Sequence, residues 1–159
     1  MSAVSHAALY IGDEQVVEAI CEGVVLRDLD LSLRDDRLAG AYRVPELTQE
    51  QALRVRDFVG MNLGKPYWVG LAAGAGLSYG VRNSKVLRAV VCLKVNICSD
   101  SDIPVPKNQD SFFCSQLVLE AFKNAGVPLV SIPSSHVAPA DIPDLWAKKP
   151  LLYVGHLKD

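Results

Sequence analysis

The stretch Asp110-Ser111-Phe112-Phe113-Cys114-Ser115-Gln116-Leu117-Val118-Leu119-Glu120-Ala121-Phe122-Lys123-Asn124-Ala125-Gly126 decides how this chain is read. Phe113, Leu117, Val118, Ala121, Phe122 and Ala125 recur near helical spacing, so one face of a helix is apolar and asks to be buried. Asp110 and Ser111 offer an N-cap, Gly126 a stop, and Pro128 forbids continuation. The pattern predicts a helix over Phe112 to Ala125. Cys114 then falls in its first turn, where unpaired N–H groups and the positive end of the helix dipole favour an anion. A thiolate, the nucleophilic form of cysteine, is stabilised in such a place. An isolated cysteine is otherwise most often a small buried apolar residue.

Working outward, the N-terminal region reads as β-structure. In Ser5-His6-Ala7-Ala8-Leu9-Tyr10-Ile11, Ala7, Leu9 and Ile11 share one face, and His6, Ala8 and Tyr10 the other. Gly12 to Gln15 is a turn, Val16 to Ile20 a second strand and Gly23 to Leu26 a third. Glu18 interrupts the apolar second strand, and a carboxylate there is costly to bury unless paired. It follows His6 by 12 residues. That separation puts both on one face if the turn has an odd number of residues or if a bulge corrects the register.

Arg27 to Arg37 is charged and reads as a loop or short solvated helix, and Ala41 to Val44 as a strand ended by Pro45. Thr48-Gln49-Glu50-Gln51 is a capping box, predicting a helix to about Leu63 with Leu53, Phe58 and Val59 buried and Gly64 at its end. Tyr67 to Gly80 is rich in Gly and Ala without a phosphate-loop or dinucleotide pattern. Ser84 to Val95 is apolar and fits helix or strand. Asn96 to Asp110 and Ser131 to Pro139 read as loops. Asp141 to Trp146 suits a helical turn and Leu151 to Leu157 a final strand. No repeat or boundary divides the chain, so residues 1–159 are expected to form a single domain.

Composition narrows the function classes. Apolar residues are 50% and charged residues 21% of the chain, the balance of a folded globular protein. Sixteen Lys and Arg against eighteen Asp and Glu leave a net charge of −2, with no basic excess for nucleic acid. No run approaches the roughly 18–20 apolar residues of a membrane span. The first residues lack the basic and apolar regions of a secretory signal, so the expectation is synthesis in the cytoplasm, with export left to a dedicated secretion system. Cys21, Cys92, Cys98 and Cys114 include no C-x-x-C pair, which disfavours zinc. The default is reduced thiols, structural at Cys21, Cys92 and Cys98, and neither a metal nor an organic cofactor is expected.

His6 can act as a general base for Cys114, although a surface histidine is the commoner occurrence. Glu18 can accept from one ring nitrogen of His6 and so fix its tautomer, the orienting role of a triad's third member; its alternative is an exposed strand-edge glutamate. His136, in Ser134-Ser135-His136, follows the cysteine in chain order but lies on a predicted loop. His156 lies on the last strand, where exposure is expected.

The segments His6-Ala-Ala-Leu-Tyr-Ile-Gly and Val17-Glu18-Ala19 resemble the histidine strand and following strand of NlpC-type papain-like cysteine peptidases. Phe113-Cys114-Ser115-Gln116-Leu117-Val118 resembles the family's nucleophile helix. The order His, acid, Cys is that of the circularly permuted branch, the YiiX-like and LRAT-like proteins, in which an aromatic residue before the cysteine is usual. Gly64-Lys65-Pro66-Tyr67 is similar to the family's Gly-x-x-Tyr element. The resemblance implies an α+β papain-like core, an antiparallel sheet against helices with the cysteine at a helix N-terminus. It also implies Cys114 as nucleophile, His6 as base, Glu18 as orienter and Tyr67 as a substrate-binding residue. Glu18 departs from the histidine frequent as third member, and Phe113 from the aspartate that often precedes the cysteine in non-permuted members.

The expected activity is therefore a cysteine peptidase or amidase that forms an acyl-enzyme. The substrate expected first is a bacterial peptidoglycan peptide. An antibacterial effector with a cognate immunity protein is one setting for it. A lipid or thioester hydrolase or acyltransferase of the LRAT-like type, and a catalytically inactive binding module, are the alternatives.

Overall fold

Alternation along the first twenty residues produces a hairpin. β1 (Ala8–Gly12) and β2 (Gln15–Ile20) are joined by Asp13 and Glu14, both left-handed at φ 52° and 57°, the two-residue turn whose twist suits antiparallel strands. Gly12 opposite Gln15, continued without a bulge, would set Ala8 opposite Ala19. An irregularity between Tyr10 and Gly12, with Gly12 at φ 99°, absorbs one residue, so Ala8 pairs with Glu18, Leu9 with Val17 and Tyr10 with Val16. The bulge, rather than an odd turn, brings His6 and Glu18 to one face.

The computed structural model describes residues 4–34, 36, 38–67, 111–148 and 150–158. Within these, β3 (Gly23–Asp28) completes an antiparallel sheet in the order β1-β2-β3. β2 is its middle strand and is buried on both faces: Val17 and Ala19 on one, Val16 and Glu18 on the other. The charged stretch after β3 opens with a short helix, α1 (Leu29–Leu33), which buries none of its residues. β4 (Ala39–Arg43) pairs antiparallel with the C-terminal strand β5 (Leu152–Lys158) as a second sheet.

α2 (Gln49–Met61) starts at the expected capping box, with Thr48 Oγ1 accepting from the Gln51 N–H at 3.2 Å and Gln51 Oε1 accepting from the Thr48 N–H at 3.0 Å. Its inward stripe is Val55 and Val59. Leu53, expected inside, is 52% exposed, because it stands two residues from Val55, about 200° around the helix. Phe58, on the flank of the stripe, is half-buried against the core.

α3 (Cys114–Asn124) packs against α2 and the β1–β2 hairpin, with Leu117 and Ala121 fully buried. It begins two residues later than the sequence suggests. Phe112 is held extended by a parallel bridge to Tyr67, with its N–H donating to the Pro66 carbonyl at 3.2 Å. Phe113 is consequently the N-cap, without a side-chain cap, and Cys114 is the first helical residue. Gly126 follows the C-cap at φ 80°, as a helix stop requires. Two 3₁₀ turns, Ser134–His136 and Pro139–Asp141, lead into α4 (Ile142–Ala147). The architecture is α+β, with antiparallel sheets packed against helices. The expectations for 68–80, for Ser84 to Val95, for Asn96 to Asp110, and for Cys92 and Cys98 within them, lie outside the described residues. Among the described residues no helix is long and apolar enough to cross a membrane.

One glycine sets how the segment before Tyr67 reaches the sheet. The Val24 N–H donates to the Lys65 carbonyl and the Gly64 N–H to the Val24 carbonyl, both at 2.8 Å. Gly23 stands beside this pairing at φ 112°, and a Cβ there would sit 2.7 Å from the Lys65 carbonyl oxygen. Gly23→Ala must therefore bear both a left-handed backbone and a backbone clash. It is expected to cost about 2 kcal/mol or more of stability, read as a lowered urea midpoint; a midpoint equal to wild type would contradict this close approach.

Candidate active site

His6 stands two residues ahead of β1, and the bulged register carries its ring to Glu18 in the middle of β2. Its Nε2–H donates to Glu18 Oε2 at 2.8 Å. The Glu18 side chain is 4% exposed and that of His6 is 32% exposed. With Nε2 committed to the carboxylate, Nδ1 is the ring nitrogen left over, and the Cys114 thiol is close enough to the ring to act on its pKa. Burial pulls the imidazole pKa down, but hydrogen bonds with Cys114 and Glu18 and the charges of both outweigh it, raising it from 6.5 to about 9. The ring is accordingly an imidazolium at neutral pH.

Glu18 is a buried carboxylate with three polar neighbours. Burial by itself would push its pKa up; the hydrogen bond and charge of His6, the Ser32 hydroxyl and Arg27 together hold it below the ordinary glutamate value. Ser32 Oγ donates to Oε2 at 3.2 Å, and Arg27 Nε lies 3.6 Å from Oε1. Neither neighbour was anticipated from sequence. Arg27 was legible in principle, since it pairs with Val16 across β2–β3 and so shares the face of Glu18; nothing in the sequence marks Ser32.

Cys114 is a free thiol at the first position of α3, 4% exposed. Two tethers fix it. Phe112 is bound to the Tyr67 segment as described, and Ser115, fully buried, donates its hydroxyl to the Val137 carbonyl at 2.6 Å. The helix start leaves early N–H groups without intrahelical acceptors beside the sulfur. Tyr67 is within electrostatic reach of Cys114: burial first, then the charge of Cys114, push its phenol above the ordinary tyrosine value. The four residues singled out from sequence (His6, Glu18, Cys114 and Tyr67) thus gather at one place, from the segment before β1, from β2, from α3 and from the β3-bound segment.

The rivals do not reach it. His136 is exposed on the first 3₁₀ turn. His156, on β5, stacks edge-on with Tyr153 at 5.7 Å between ring centres. Cys21, exposed in the turn between β2 and β3, is disulfide-bonded rather than the reduced thiol expected. Two shallow clefts, of about 570 and 240 Å³, are lined mostly by residues of the β1–β3 sheet and α2 and include none of the four gathered residues.

The chain is similar to a protein of Escherichia coli (strain K12) named probable lipoprotein peptidase YaeF, being 32% identical over 178 aligned positions that cover 99% of this chain and 62% of that protein. The chain thus spans a little over three-fifths of that relative's length. No family model matches the chain. No solved structure matches it.

Proposed function

We propose that the chain is a cysteine peptidase or amidase in which Cys114 is the nucleophile, His6 the acid–base and Glu18 the residue that orients His6. The observation that carries this reading is His6 itself. One ring nitrogen is bound to a buried carboxylate and the ring lies within electrostatic reach of a helix-start thiol, an arrangement that chemistry on a carbonyl needs and that a packing role does not. Similarity to a protein named as a peptidase supports the hydrolytic class.

With His6 protonated, Cys114 serves as thiolate and attacks the amide carbon, forming a C–S bond as the carbonyl electrons move to oxygen. The oxyanion accepts from the Cys114 N–H at the helix start. The electrons return, the C–N bond breaks, and His6 gives its proton to the departing amine. Neutral His6 then takes a proton from water, whose oxygen attacks the thioester carbon. Collapse breaks the C–S bond and releases a carboxylic acid, restoring thiolate and imidazolium. Glu18 keeps Nε2 protonated and stabilises the cation throughout. Tyr67, at the edge of this centre, is the residue we assign to substrate contact.

Peptides of bacterial peptidoglycan are the first substrate class to test, because the His, acid, Cys order and its flanking motifs resemble NlpC-type enzymes.

Cys114→Ala is expected to lower muropeptide hydrolysis by about 1,000-fold or more with an unchanged circular dichroism spectrum; hydrolysis at the wild-type rate would refute the nucleophile. Hydrolysis should fall as pH rises through about 9, where His6 loses its proton. Glu18→Gln removes a charge that raises His6, so its alkaline limb is expected at lower pH; an unmoved limb would separate Glu18 from the mechanism. The same raised pKa is a stability statement. Its contribution is full below about 6.5 and is lost as pH rises through about 9. Urea midpoints should thus decline over that window in wild type and decline less in His6→Ala.

A further inference from the structure

α1 is an element whose presence the core does not explain. None of its five residues is buried, and a single-turn helix is not stable by itself. Yet bonds from distant parts of the chain hold both of its ends. The Leu29 N–H donates to the Glu14 carbonyl at 2.7 Å in the β1–β2 turn. At the other end Lys158 Nζ, on β5, donates to the carbonyls of Leu33 and Arg34 at 2.8 and 2.9 Å. A lysine on the last carbonyls of a helix satisfies acceptors that would otherwise be left to water. What this anchoring fixes is Ser32, the α1 side chain that reaches inward to Glu18 Oε2.

Glu18 needs such a partner. His6 and Ser32 donate to the same oxygen, Oε2, whereas Oε1 is buried and accepts no hydrogen bond among the described residues. Arg27 is the cation nearest Oε1, at 3.6 Å, and is itself shared with the exposed Glu22 at 3.9 Å. A carboxylate bound by His6 alone could swing its plane toward Arg27 and carry the imidazole with it. Two donors converging on Oε2 fix that plane. From this we infer that Ser32 is a positioning residue of the active site: clamped by Lys158 and the β1–β2 turn, α1 holds the Ser32 hydroxyl on Glu18 and thereby sets the ring of His6 against Cys114. The inference rests on the proposed Cys114–His6–Glu18 mechanism and adds a fourth participant to it.

The test needs no substrate. The rate at which iodoacetamide carboxamidomethylates Cys114 in the full folded chain is measured at pH 6.5, by mass spectrometry of the Cys114 peptide. The proteins are wild type, Ser32→Ala, Ser32→Thr, His6→Ala and the double variant His6→Ala/Ser32→Ala. Loss of one hydrogen bond of ordinary net strength, felt at Cys114 only through His6, should make Ser32→Ala about 3- to 10-fold slower than wild type. Ser32→Thr, which keeps the hydroxyl, should lie within about twofold of wild type. Ser32 acts through His6, so removing it in the His6→Ala background should change nothing further. An equal slowing in both backgrounds would mean that Ser32 only supports the fold, and no slowing in either would also overturn the inference. If His6→Ala itself leaves the rate at the wild-type value, the mechanism fails first, and the inference falls with it.

Discussion

The pairing of Ala8 with Glu18 is the constraint on which the rest of the site depends. Strand geometry allows a side chain only two directions, and a slip of one residue would turn Glu18 away from the face that His6 shares. The two-residue turn at Asp13 and Glu14 by itself gives the wrong parity. The bulge at Gly12 corrects it by letting one residue of β1 go unpaired. The hydrogen bond between His6 and Glu18, and its share in raising the imidazole pKa, follow from that single extra residue.

The buried carboxylate is the costly part. Glu18 occupies the middle strand of the sheet, between Val17 and Ala19 in sequence and nearly as inaccessible as they are. An unpaired charge there would be expelled or neutralised. The structure instead surrounds it with an imidazolium, a hydroxyl and a guanidinium, and the result is a group ionised below the usual glutamate range. The attachments of Cys114 are of another kind. Gly23 admits the Lys65 carbonyl to β3, Pro66 and Tyr67 bind Phe112, and Ser115 is tied to Val137. Backbone pairing thus carries the nucleophile to the sheet, and polar side chains tune what it meets there.

Much of this is legible in the sequence. Period-two alternation revealed the hairpin, the capping box located the start of α2, and apolar spacing with Gly126 and Pro128 located α3. Glu18 stood out because a carboxylate has no reason to sit in an apolar strand without a partner. Other features were not legible, for physical reasons. The start of α3 is decided by a bridge to Tyr67, 45 residues earlier in the chain, which local propensity cannot see. Leu53 faces outward because only one side of α2 meets the core. Ser32 lies in a charged stretch without periodicity, and its role arises from anchors more than a hundred residues apart in sequence.

The central claim is that Cys114 and His6 act as a coupled acid–base pair. The most direct test is a titration of the His6 ring by nuclear magnetic resonance in wild type and in Cys114→Ala; only three histidines need to be told apart. The account predicts a midpoint of about 9 in wild type and a clear fall toward 6.5 when the thiol is removed. An ordinary midpoint near 6.5 in both proteins would contradict it.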